Sequence, residues 1–163
     1  MATPPLTPTG RPDGWTLLAA WGPCGFSPVA PGTVGTLGAV PLAWAVSRLE
    51  PLATWSFLLA FLALAVHAAT RAGRYWQVVD AQPIVIDEVL GYLTAVAFLP
   101  FTWRTALAAF LLFRLFDVWK PWPVSRLDRW KTGLGVVLDD VVAGFFAWAW
   151  LRLLLHHFPG TFA

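Results

Sequence analysis

Charge is what this chain has least of: Asp, Glu, Lys and Arg make up 12% of its 163 residues, against about 25% in soluble domains. A soluble surface is hard to build from so few charges, and the composition points to a membrane setting. The single cysteine, Cys24, excludes an internal disulfide, and metal-ligand Cys/His spacing is absent. A net charge of +2 with no basic stripe excludes nucleic acid as a partner. No period-2 alternation runs long enough for strands, so the predicted fold class is all-α. The first fourteen residues hold Pro4, Pro5, Pro8 and Pro12 and lack the apolar core of a signal peptide, so residues 1–14 are expected to form a flexible tail. No repeat or internal linker divides the remainder, which leaves one helical membrane domain over 15–163.

What is present is apolar and aromatic. Eleven Trp, against two Tyr, suit a membrane–water boundary. Mean hydropathy is +0.64. Residues 14–47 carry no formal charge, but Gly22, Pro23, Gly25, Pro28, Pro31, Gly32, Gly35 and Gly38 break their first two-thirds into turns. A helix is expected only from about Thr36 to Leu49, bent at Pro41. Pro51 to Thr70 is the clearest spanning segment, followed by Val89–Trp103, Ala106–Trp119 and Val141–Leu155. A bundle of about five to six helices, at least partly embedded in a membrane, is the expected architecture. His67, midway along the longest apolar run, is expected to be buried and hydrogen-bonded.

If these five segments alternate across a bilayer, one face collects Arg11, Arg71, Arg74, Arg114, Lys120, Arg126, Arg129 and Lys131, leaving only Arg48, Arg104 and Arg152 elsewhere. The positive-inside rule makes that face cytoplasmic. The same face gathers every acid except Glu50.

Most of those acids fall in three short polar knots: Asp87-Glu88, Asp117, and Asp139-Asp140. Each pair alone could be a helix cap, since acids favour a first helical turn. Two such pairs, each followed by a glycine (Gly91, Gly144), are harder to explain that way. Converging carboxylates repel one another unless a cation intervenes. A hard divalent ion with oxygen ligands resolves the repulsion, and Mg²⁺ held by carboxylates and phosphate is its usual form. The candidate metal ligands are Asp87, Glu88, Asp139 and Asp140, and the candidate catalytic acids are Asp87, Glu88, Asp117 and Asp140. Arg114, Asp117 and Lys120 are spaced to share a helical face, and a guanidinium fork beside an ammonium suits phosphate. Upstream, the Gly-rich stretch GPCGFSPVAPGTVGTLG lacks the Gly-Lys-Ser/Thr of a Walker loop. It reads equally as a structural turn or as a phosphate cradle, with Ser27 and Thr33 as candidate donors.

Four motifs in order resemble the phosphatidylglycerophosphatase A family: GFSPVAPGTVGTLGAVP at 25–41, D-x6-DEVLGY from Asp80 to Tyr92, FRLFDVWKPWP at 113–123 and GLGVVLDDVVAG at 133–144. The resemblance runs from Gly22 to the C-terminus. It implies an all-α, Mg²⁺-dependent phosphatase of the bacterial cell inner membrane, with its active site on the cytoplasmic face. The implied substrate is a phospholipid in the bilayer, phosphatidylglycerophosphate, dephosphorylated to phosphatidylglycerol. Asp80 and Asp128 are possible outer supports for the site. Thr132 stands where the family tends to have glycine, and a threonine resists positive φ, so the loop there is expected to differ. The competing readings are a small transporter, which would want acids near the bilayer centre, and a non-catalytic assembly protein, which gives the acids no reason to converge.

Overall fold

A computed structural model describes residues 11–127 and 129–162, and among them every regular element is helical. The helices are α1 (Gly14–Ala19), α2 (Pro31–Gly38), α3 (Val40–Val46), α4 (Pro51–Trp76), α5 (Ile86–Val96), α6 (Trp103–Trp119), α7 (Val124–Leu127), α8 (Gly133–His157) and α9 (Pro159–Phe162). A 3₁₀ turn, Cys24–Phe26, precedes α2. The bundle proper is α4, α5, α6 and α8, with α2 and α3 packed against α5.

In α4, Pro51 sits at the first turn, where no backbone N–H is needed, and Gln77 closes the helix in the left-handed region at φ 56°. Its buried residues recur as Thr54, Leu58, Phe61, Ala65, Ala68, Ala72 and Trp76, one face of a helix. Alanines at the contact let neighbouring backbones come close. The opposite face is also apolar, with Leu52, Trp55 and Leu59 exposed. On α6, Leu107, Leu111 and Leu115 form a second exposed apolar row, bracketed by exposed Trp103 and Trp119. Such surfaces are at home in lipid.

Several boundaries differ from expectation, each for a local reason. Two of the five expected spans, α4 and α8, are long and apolar enough to cross a membrane. The segment Val89–Trp103 is not one helix: α5 ends at Val96, Phe98 takes φ 60°, and Thr102 caps α6 by accepting from Thr105 N–H. The Gly-rich stretch is helical over α2, because its glycines are contact points within a helix. The acids Asp139-Asp140 do not open their helix. Thr132 caps α8 seven residues before Asp139, accepting from Gly135 N–H at 3.1 Å with φ −138°, so a threonine fits there without strain. His67 is exposed and stands edge-on to Trp15, with ring centroids 4.5 Å apart.

One polar link ties α5 to α6. Tyr92 is fully buried, and its hydroxyl donates to Ala106 O at 3.0 Å. Tyr92→Phe removes that hydrogen bond while preserving the ring. We expect a loss of about 1 kcal/mol, read as a lower midpoint of thermal unfolding in detergent with unchanged helix content.

Candidate active site

Parallel α5 and α8 cross where Gly91 meets Gly144. A Cβ on Gly144 would overlap Gly91 O, and one on Gly91 would overlap the Phe113 ring and crowd Asp140 O at 2.8 Å. Asp87 precedes Gly91 by four residues, as Asp140 precedes Gly144, so each acid shares a helix face with its crossing glycine. The crossing therefore carries the acids of both helices toward each other. Asp87, Glu88 and Asp140 each present a carboxylate oxygen, all within 4.8 Å of one another. Asp87 and Asp140 are buried, and Glu88 nearly so.

The third knot closes the group from α6. Asp117, in the last turn of that helix, lies within hydrogen-bond reach of Asp140. Arg114 packs its Nη1 against Asp117 Oδ2 at 2.5 Å and lies 3.8 Å from Glu88 Oε1. From the other side comes the first turn of α2, where a Cβ on Gly32 would overlap Glu88 Oε1 and approach Arg114 Nη1 to 3.3 Å. The absent side chain lets the helix backbone lie against the carboxylate. Sequence reasoning named Ser27 and Thr33 in this stretch and missed Gly32, although its Gly-rich character was the available signal.

The two acid pairs are used differently. In each, the first acid accepts the backbone N–H of the second at 3.1 Å: Asp87 from Glu88, and Asp139 from Asp140. Both members of the α5 pair enter the three-carboxylate group. In α8 only Asp140 does, while Asp139 Oδ2 accepts from Lys120 Nζ at 2.8 Å. Lys120 reaches it from the left-handed C-cap of α6, φ 47°. Ser27 sits in a local turn, donating to Val29 O at 2.9 Å, and Thr33 is half-buried one residue beyond Gly32. Asp80 is exposed and acts on Asp87 only through its charge. Asp128 lies outside the described residues.

The electrostatics here are those of crowded, buried carboxylates. Burial first, then the negative charges of Glu88 and Asp140, push the Asp87 carboxyl well above the ordinary range. Burial raises Glu88 too, opposed in part by a hydrogen bond from Asp87 and by Arg114. Glu88 Oε2 is buried with no hydrogen-bond partner, and a buried carboxylate oxygen without a donor, beside two more carboxylates, could take a cation. The donor set, all oxygen and all anionic, fits a hard divalent metal.

The family model for phosphatidylglycerophosphatase A matches residues 17–155, a stretch that contains every residue of this cluster. The chain belongs to the phosphatidylglycerophosphatase A family. Membership makes it a phosphatase, a hydrolase of phosphoric monoesters. It is 34% identical over 148 residues to the phosphatidylglycerophosphatase A of Escherichia coli K12, covering 89% of this chain and 86% of the relative. It is 36% identical over 137 residues to that of Haemophilus influenzae, covering 80% and 82%. A protein of Bacteroides thetaiotaomicron named as a putative phosphatidylinositol-3-phosphatase is 35% identical over 131 residues, covering 76% and 82%. No solved structure matches the chain. All three relatives of this phosphatidylglycerophosphatase A family member are named for lipids that carry a phosphate monoester.

Proposed function

We propose that the chain hydrolyses phosphatidylglycerophosphate to phosphatidylglycerol and phosphate, using Mg²⁺, at the cytoplasmic face of the bacterial inner membrane. The observation that carries the reading is the buried group Asp87, Glu88 and Asp140, with its orphaned Glu88 Oε2 and Arg114 alongside. Asp87, Glu88 and Asp140 would hold the ion. When bound, Mg²⁺ offsets the charge that builds on the transferring phosphoryl group.

The remaining steps belong to side chains. Arg114 is pinned between Asp117 and Glu88, which aims its guanidinium at the carboxylates and fixes it for bidentate contact with the phosphoryl oxygens. Proton transfer is assigned to Asp117, which lies outside the three-carboxylate group and within hydrogen-bond reach of Asp140. In the net reaction water adds to phosphorus, the bond from phosphorus to the glycerol oxygen breaks, and that oxygen leaves protonated. Asp139 holds Lys120 beside the site, where the ammonium adds to the positive field a phosphate meets. The lipid's acyl chains stay in the bilayer, against the exposed apolar row of α6.

A transporter would hold its acids near mid-membrane. Here Asp87 and Glu88 sit in the first turn of α5, Asp117 in the last turn of α6, and Asp140 ~10 Å along α8. That gathering at one end of the bundle favours catalysis on a headgroup.

The decisive assay is phosphate release from phosphatidylglycerophosphate in detergent micelles, with phosphatidate and phosphatidylinositol-3-phosphate as competitors. Release is expected to stop with a chelator and return with Mg²⁺. The ion is also expected to stabilise the fold, by about 2.7 kcal/mol at a hundred times its dissociation constant. A folded, Mg²⁺-supplied protein that releases phosphate from either competitor instead would reassign the substrate.

A further inference from the structure

Away from the carboxylates, three depressions join end to end along α4. A shallow groove of about 520 Å³ runs past Leu59, Ala63 and His67. It shares Val66, Thr70 and Leu134 with a second of about 560 Å³, which continues to Arg74. Arg74 also lines a third, smaller hollow of about 210 Å³ with Arg11, Asp13 and Arg71. The walls thus change from apolar to basic along a single path.

Dimensions and charge together identify what fits. Leu59 to Thr70 is twelve residues, eleven helical rises or ~16 Å. One leaflet of a bilayer is half of a hydrocarbon core of about 30 Å. The apolar part of the groove therefore has the depth of one leaflet, and Arg71 and Arg74 follow it at the height of the headgroups. Thr70 adds no polar demand, since its hydroxyl donates to Val66 O at 2.7 Å. In the hollow, three guanidinium groups face one carboxylate. That carboxylate, Asp13, is occupied by the N–H and hydroxyl of Thr16 and by Arg71 at 3.0 Å. Arg11 and Arg74 remain exposed and directed to the hollow. The carboxylate cluster lies elsewhere, where α5, α6 and α8 meet.

We infer that this path is a binding site for one anionic phospholipid that is not the substrate, with an acyl chain along α4 and the phosphate on Arg74 and Arg11. The neutral tail is held by apolar contact, and the headgroup by two charges that a zwitterionic lipid answers less well. A resident lipid would fix α4 in the leaflet and hold α1 against it.

The test is native mass spectrometry of the whole protein released from detergent with either phosphatidylserine or phosphatidylcholine. Neither lipid carries a phosphate monoester, so neither can be turned over. We expect one retained phosphatidylserine, preferred over phosphatidylcholine by about tenfold. The double variant Arg11→Gln/Arg74→Gln should lose that preference. Ala63→Trp, at an exposed position within the groove, should lower retention of both lipids. Asp140→Asn should leave retention as it was, which separates this site from the phosphatase centre. Equal retention of the two lipids, or retention unchanged in either groove variant, overturns the inference.

Discussion

Asp140→Asn should bring phosphate release to background while making the ion-free protein no less stable, and even slightly more so. The two halves of that result have one cause. Asp140 is a buried carboxylate placed beside Asp87, Glu88 and Asp117, so without a cation it adds repulsion to the folded state. The amide keeps the shape and removes the charge. With the charge goes a ligand oxygen and its share of the electrostatic stabilisation, and turnover should fall by on the order of 10²–10³-fold or more. The Mg²⁺-dependent rise in thermal midpoint should shrink in step. Asp139→Asn is the contrasting variant. It removes the carboxylate that Lys120 meets at 2.8 Å, and it should destabilise the protein by about 1–3 kcal/mol with or without Mg²⁺. If Asp140→Asn retained full activity, or lost stability as Asp139→Asn does, Asp140 would be a structural residue.

The acids of this site were legible because the chain is so apolar. In a sequence with 12% charged residues, three knots of acid beside Arg and Lys stand out, and alternation of the apolar segments carries them to one end. The expectation of a divalent ion followed from elementary repulsion. What the sequence hid is which acid of each pair does what. Asp139 and Lys120 are nineteen positions apart, and their contact depends on the left-handed turn that ends α6. Nothing local marks that turn, because Lys120 is not a glycine.

Glycine misled in the other direction. Gly133 and Gly135 look like breakers before the acids, so the last helix was expected to begin later than it does. In the fold they lie in its capped first turn, packed against Thr70 and Trp130. The same applies to α2, where glycines read as turns are places at which a helix backbone comes up against Glu88 and Val85. Propensity argues against glycine in a helix by about 1 kcal/mol per residue. Close packing of neighbouring elements outweighs that here, and a single sequence does not reveal which neighbour will arrive.

Gly144→Ala follows from the same geometry and should cost both stability and catalysis. The new methyl would occupy the position of Gly91 O, a backbone atom that cannot rotate away. Relief requires α5 and α8 to move apart, at a cost of about 1–3 kcal/mol in a packed interior. Because Asp87 and Asp140 sit one turn from the crossing on the same faces, that movement also opens the three-carboxylate group. A shift of about 1 Å at a reacting centre can cost 10²-fold in rate. Turnover should therefore fall on that order even in conditions where the variant is fully folded, and the Mg²⁺ required for half-maximal activity should rise. Gly14→Ala is the control, since a Cβ there meets nothing within 4 Å, and it should behave as the parent. A Gly144→Ala protein that is less stable yet binds Mg²⁺ and turns over normally would show that the crossing holds the bundle together without setting the spacing of its acids.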